Sequence, residues 1–172
     1  MIETCLALFF PFLMIYAASS DLFSMTIPNF VSGALITGFI VAAYLVGFDW
    51  NTIMWHWIVF FMVLFAGFTL FSFGVMGGGD AKLAAATALW FGTGHVVEYI
   101  YMVSILGAVL TIGIIIFRGQ MLPMRVSGID WVARIHAPKN GIPYGIALGT
   151  GALMVYPKTP WMEFVISRAI SL

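Results

Sequence analysis

Apolar runs of about 17 to 25 residues recur along this chain of 172 residues, and that is the length an α-helix needs to cross roughly 30 Å of hydrocarbon. The runs are continuous. They do not alternate with period two, as the strands of a membrane β-barrel would. Hydrophobic residues make up 62% of the chain and charged residues 8%, against about 25% charged in an ordinary soluble domain. The sequence therefore predicts an all-α, polytopic membrane protein.

Six spans are expected, at residues 2–18, 30–48, 53–73, 80–93, 96–117 and 142–156. A polar segment, 118–140, separates the last two. The tail 159–172 is expected to form a short interfacial helix, with Trp161 near the headgroups and Glu163 and Arg168 in water. The N-terminus has no basic stretch, and Glu3 stands where one would be, so residues 2–18 are expected to be a retained span and not a cleaved signal peptide. No internal repeat or low-complexity segment is found, and residues 1–172 are expected to form one domain. Cys5 is the only cysteine, which rules out an internal disulfide or a CxxC zinc ribbon. Zero net charge and the lack of a basic tract give no sign of a nucleic-acid partner.

Positive charge sets the expected topology. Arg118, Arg125, Arg134 and Lys139 lie between spans five and six, whereas the loop before span three carries Asp49 and no Lys or Arg. The positive-inside rule puts the segment with the arginines in the cytoplasm. Counting back through the spans puts the loops of Asp21 and Asp80 on that same side, with both termini outside.

Those two aspartates carry most of the functional information. Each ends or begins an apolar run, where a carboxylate is costly and reads as functional. Asp80 follows Gly77, Gly78 and Gly79, and each glycine costs about 1 kcal/mol in a helix interior relative to Ala. Glycines leave room for another backbone to approach, and the following helix N-terminus favours a carboxylate. Span four has about 14 residues, roughly 21 Å of helix, so Asp80 is expected in a protein-lined or wet cavity. Taken alone, the glycine run also fits a flexible turn with a capping Asp, and Asp21 alone fits an ordinary interfacial acid. Ser24 or Thr26 is a candidate cap for the next helix, and Pro28 fits the start of span two, where a missing N–H costs nothing. Asn29 is either a cap or a hydrogen-bonding group inside the bundle. Lys82 stands about 200° around the helix from Asp80 and reads as a snorkelling anchor.

Two carboxyls on one membrane face suit proton-sharing chemistry. Close together they do not both ionise cheaply, so the pair holds one proton. The charged member then takes a proton from water while the neutral one donates to a scissile carbonyl oxygen. No metal, cofactor or side-chain nucleophile is required. The glycine-rich backbone nearby offers an extended substrate main-chain hydrogen bonds.

The order and spacing of these motifs resemble the type IV prepilin peptidase family, the GxGD-type aspartic peptidases. Asp21 stands a few residues before Ile27-Pro28-Asn29. Gly77, Gly79, Asp80, Lys82 and Leu83 match the GxGD-x-Lys pattern, with Gly78 as its variable residue. Pro143, Tyr144 and Gly145 match a weaker pattern at the start of the last core span. The resemblance implies that Asp21 and Asp80 are the catalytic pair and that Pro28, Asn29, Gly77, Gly78, Gly79, Lys82, Pro143, Tyr144 and Gly145 bind substrate or support the motifs. It implies pilin precursors as substrate, cut at the cytoplasmic face of the bacterial inner membrane, with membrane lipid and the pilus assembly machinery as partners. Larger members carry a cysteine-rich N-terminal domain and many methylate the product. This chain resembles the small branch that serves tight-adherence (Flp-type) pili, and methyl transfer is not expected.

Other polar residues read more simply. His56, between Trp55 and Trp57, is expected to be buried or interfacial, and His136 a solvated loop residue. His56, His95 and Glu98 match no metal-site spacing. Gly107, Ala108 and Thr111, and Gly145, Gly149 and Gly151, suggest close helix contacts. The segment 119–139 is a candidate surface for substrate or partner. Two competing functions stay open on residues alone. A small proton- or cation-coupled transporter would use the acids at a broken helix, and a scaffold of a secretion machine would not need them at all.

Overall fold

A computed structural model describes residues 2–122 and 128–170. Arg125, the side chain of Glu3, and residues 171 and 172 of the tail lie outside the described residues. Helix α1 spans Ile2–Ser24, α2 Asn29–Val46, α3 Trp50–Ser72 and α4 Gly78–Arg118. They are followed by α5 (Asp130–His136), α6 (Gly145–Val155), a 3₁₀ turn at Tyr156–Lys158 and α7 (Pro160–Ile170). Among the described residues there is no strand.

Local chemistry sets the helix ends. After α1, Met25 adopts a left-handed φ of 55°, and the turn is closed by Ser20 Oγ donating to Thr26 O at 2.9 Å and Ser24 Oγ to Ser20 O at 2.6 Å. Ser24 and Thr26 thus hold the turn and do not cap α2, whose N-cap, Pro28, makes no side-chain bond. Helix α2 ends at Gly47, whose φ of 80° suits glycine, with the Phe48 N–H reaching Ala43 O. Asp49 then caps α3 by accepting the Thr52 N–H at 3.2 Å, and the Thr52 side chain first, with this bond second, holds its carboxyl below the usual carboxylate range.

Among the described residues four helices are long and apolar enough to cross a membrane: α1 from Cys5 onward, α2, α3 and α4. The 41 residues of α4 would run about 62 Å if straight, twice the hydrocarbon thickness. They are not straight. Gly92 breaks the helix with φ 54° and ψ −161°. The Tyr99 ring packs back against Phe91, tilted at 58° with centroids 5.1 Å apart, and its hydroxyl faces Thr87, a residue about 18 Å away along an unbroken helix. The expected spans four and five are thus the two limbs of one hairpin. Helix α6, expected as a sixth span, has only 11 residues and continues through the 3₁₀ turn into α7.

The first limb of α4 is the central rod. Leu83 through Gly92 are buried without a break. Its alanines leave room for neighbouring helices to come close. Across the bundle, a Cβ on Gly67 of α3 would lie 3.0 Å from Ala81 Cβ. One on Gly149 of α6 would lie 2.9 Å from Met14 O of α1, and one on Gly151 2.9 Å from Val103 in the second limb. At the end far from the aspartates, Phe10, Phe39, Trp90 and Trp161 pack as one aromatic cluster. Trp161, expected at the headgroups, is fully buried there. Its indole donates to Trp90 O at 2.7 Å, a partner inside the fold that removes the need for an interfacial position. Outward-facing Phe12, Phe61, Phe65 and Ile112 stay exposed, as side chains facing lipid would.

Candidate active site

Asp21 sits in the last turn of α1 and is 5% exposed. Its Oδ2 accepts the backbone N–H of Gly145 at 2.7 Å. Gly145 is the first residue of α6, where a helix N–H has no partner within its own helix, so Asp21 satisfies that donor and faces the positive end of the helix dipole. The site has no room for a side chain on Gly145. A Cβ there would lie 2.8 Å from Asp21 Cβ and 2.9 Å from its Oδ2.

Asp80 is the third residue of α4 and half-buried. The N–H of Gly77, the N-cap, lies beside the Asp80 carboxylate, which is the one half of a capping box open to an N-cap with no side chain. The glycine run therefore opens the helix: Gly77 caps it, and Gly78 and Gly79 form its first turn. Gly77 has an ordinary φ of −70°, so it is glycine for space; a Cβ would come 2.8 Å from Asp80 Oδ2. A Cβ on Gly78 would lie 3.3 Å from the Phe71 ring, and one on Gly79 3.3 Å from Ile27 Cβ and 3.6 Å from the Ile27 main chain.

The two acids share one end of the bundle, and Asp80 lies within Coulombic range of Asp21. Ile27 links their surroundings. It packs on Gly79 and places Cδ1 3.0 Å from the point where a Gly145 Cβ would lie. Sequence reading treated Ile27 only as part of a motif, although its place next to Pro28 is the signal that could have marked it. Lys82 is not a free snorkelling anchor. Its Nζ donates to Asn29 Oδ1 at 2.9 Å, because the starts of α2 and α4 lie side by side. Asn29 is exposed and caps no helix, so it fills neither of its two expected roles; its surface bond to Lys82 ties the motif of Asp21 to that of Asp80. Pro143 is buried and Tyr144 partly buried beside them, with the Tyr144 hydroxyl 3.0 Å from Thr111 Oγ1.

The segment between α4 and α6 closes over the same end. Arg118 donates to the carbonyls of Ile135, Asn140 and Gly141 at 2.8, 3.0 and 2.8 Å. Arg134 donates to Phe23 O, and Trp131 meets the Phe23 ring edge-on at 5.8 Å. His136 is not simply solvated; its Nε2 lies 2.9 Å from Gln120 O. None of these bonds was legible in sequence.

The remaining histidines lie elsewhere. His56 is buried, with Nδ1 2.6 Å from Leu89 O. His95 approaches Glu98 at 4.0 Å, and Glu98 also pairs with Lys158. Among the described residues no three His, Cys, Asp or Glu side chains group to hold a metal ion.

A family model described as the type IV leader peptidase family matches residues 8–115. The match takes in Asp21, Ile27-Pro28-Asn29 and the Gly77–Lys82 stretch, and leaves Pro143 to Gly145 outside. No curated protein and no solved structure matches the chain. The family match covers more than half of the residues, and the chain belongs to the type IV leader peptidase family.

Proposed function

We propose that this protein is an aspartic endopeptidase that removes the leader from type IV, Flp-type pilin precursors, with Asp21 and Asp80 as its catalytic pair. One observation carries the reading: two carboxyls 59 positions apart in the chain lie within Coulombic range of each other at one end of an apolar bundle, each beside a backbone N–H. Family membership supports peptidase chemistry.

In the proposed cycle the pair holds one proton. The ionised carboxyl takes a proton from water as the oxygen attacks the scissile carbonyl carbon. The protonated one gives its proton to the carbonyl oxygen, forming a tetrahedral diol. The intermediate collapses when a hydroxyl proton returns to one carboxyl and the other protonates the leaving nitrogen, breaking the C–N bond. The titration belongs to the pair and not to either residue. Lys82 with Asn29 keeps the two motifs in register. Pro28 and Pro143 stiffen the approaches to α2 and α6.

The proposed setting is the bacterial inner membrane, with the acids at the cytoplasmic face. We propose six passages: α1, α2, α3, the two limbs of α4, and α6 with its continuation. Both termini then lie outside the cytoplasm, and the whole chain forms one membrane-embedded peptidase domain. Pilin precursor, lipid and the pilus assembly machinery are the proposed partners.

The test is co-expression of a Flp-type pilin precursor with wild type, Asp21→Asn or Asp80→Asn, reading precursor size on a gel. Wild type is expected to shorten the precursor, and both variants to leave it intact at normal membrane levels. Cleavage by either variant would reject the pair. A wild type that cleaves no pilin tried would favour a transporter or a scaffold.

A further inference from the structure

We infer that Thr111 is a positioning residue for the catalytic pair, acting through Tyr144 and Gly145. The inference rests on the peptidase reading above. Thr111 lies in the second limb of α4, 31 residues after Asp80 and far from either aspartate in sequence. Its Oγ1 is 3.0 Å from the Tyr144 hydroxyl. One edge of the Tyr144 ring also lies against Gly107, one turn earlier on the same limb, where a Cβ would come 3.2 Å from Cε1 and 3.6 Å from Cδ1. Thr111 and Gly107 thus fix the ring at its tip and along its edge.

What the ring fixes in turn is the Gly145 N–H. Tyr144 caps α6 with φ −66° and ψ −19°. The Tyr144 ψ sets the direction of the next N–H, the one that donates to Asp21 Oδ2 at 2.7 Å. Pro143 precedes it with its own φ locked, and the Tyr144 N–H closes a tight turn onto Ile142 O at 2.8 Å. The stretch therefore has few free torsions, and a shift of the ring is passed to the N–H. Thr111 is only partly buried, and the Tyr144 hydroxyl is the side-chain partner it has across the limb. A misplacement of about 1 Å at a catalytic group can cost about a hundredfold in rate. Loss of one hydroxyl contact two residues away should cost less, about tenfold.

The test uses the full-length protein purified in detergent micelles, with the same Flp-type pilin precursor as substrate. Thr111→Val keeps the shape of the side chain and removes the hydroxyl. Tyr144→Phe removes the other half of the bond. Each is expected to lower kcat about tenfold with KM within about twofold of wild type, the pattern of an interaction felt in the transition state. Thr111→Ser, which keeps the hydroxyl, is expected to hold kcat near wild type. Wild-type kcat in both Thr111→Val and Tyr144→Phe would overturn the inference and leave the peptidase reading intact. A raised KM at unchanged kcat would overturn it too, assigning the pair to substrate binding. Equal losses in Thr111→Val and Thr111→Ser, with lowered melting temperatures, would make the contact merely structural. A wild type that cleaves no precursor would remove the peptidase reading and this inference with it.

Discussion

Asp21 and Gly145 are 124 residues apart in the chain and joined by one hydrogen bond of 2.7 Å. Through it, helix α6, which lies beyond the stretch matched by the family, becomes part of the site formed by α1 and α4. The donor is a backbone N–H and the acceptor is itself a proposed catalytic carboxyl, so deleting either partner would not isolate the bond. Crowding is the way to test it.

Gly145→Ala places a methyl 2.8 Å from Asp21 Cβ and 3.0 Å from Ile27 Cδ1, against side chains already packed on both sides. Activity is expected to fall at least about tenfold, because the Asp21 carboxyl must move. Gly33→Ala, with nothing within 4 Å of the new Cβ, is the control and should cleave pilin like wild type. Comparable cleavage by both variants would separate Gly145 from the chemistry.

The Lys82–Asn29 contact is exposed, so its direct contribution to stability is small, about 0.5 kcal/mol. Its expected importance is register between the two motifs. Lys82→Met and Asn29→Leu should each reduce cleavage, and the double variant should be no slower than the worse single one, since both remove the same bond. Losses that multiply would show that the two residues act separately.

Gly92 makes the hairpin of α4. Its φ of 54° and ψ of −161° are open essentially to glycine alone, and an added Cβ would lie 2.6 Å from His56 Nε2. Gly92→Ala is expected to destabilise the fold by at least about 1–3 kcal/mol. Thermal unfolding in detergent reads this directly. Gly94→Ala, two residues on and in open space, should leave the melting temperature within error of wild type.

Asp49 gives a pH-dependent prediction. Its carboxyl is held below its ordinary value of 3.8, first by the Thr52 side chain and then by the Thr52 N–H. A carboxyl depressed in the folded state stabilises above its unfolded value, and the effect fades as pH falls through the folded one. Asp49→Ala should therefore lower the melting temperature more at pH 7 than well below pH 3.8, where only the weaker cap of the neutral carboxyl is lost. Asp49→Asn, a competent neutral cap, should lose less. A penalty for Asp49→Ala that persists unchanged into acid would reject the capping account.

Much of the site was legible from residue type and spacing. Asp21, Asp80, the glycines and the Ile27-Pro28-Asn29 step all stand out because an apolar chain has few other polar groups to weigh. The start of α2 was legible for the same kind of reason, because Pro28 acts on its immediate neighbours; Gly47 and Asp49, which end α2 and cap α3, went unread although local rules govern them too. Trp161 was not, since burial depends on whether α7 folds back onto Trp90, and indole chemistry fits a headgroup layer or a backbone carbonyl equally well. The partner of Lys82 was not legible for a similar reason, because Asn29 is 53 residues away.

By itself the sequence determined an all-helical membrane chain, the family, and the two acids to watch, since hydrophobic run length and the cost of an isolated carboxylate are properties of single segments. Only the tertiary structure decided that Gly145 serves Asp21, that Ile27 sits between two glycines, that Thr111 reaches Tyr144, and that one glycine folds α4 back on itself. Those contacts join segments whose separation in the chain carries no information about their distance in space; it is the packing of small residues around the buried limb of α4 that brings them together.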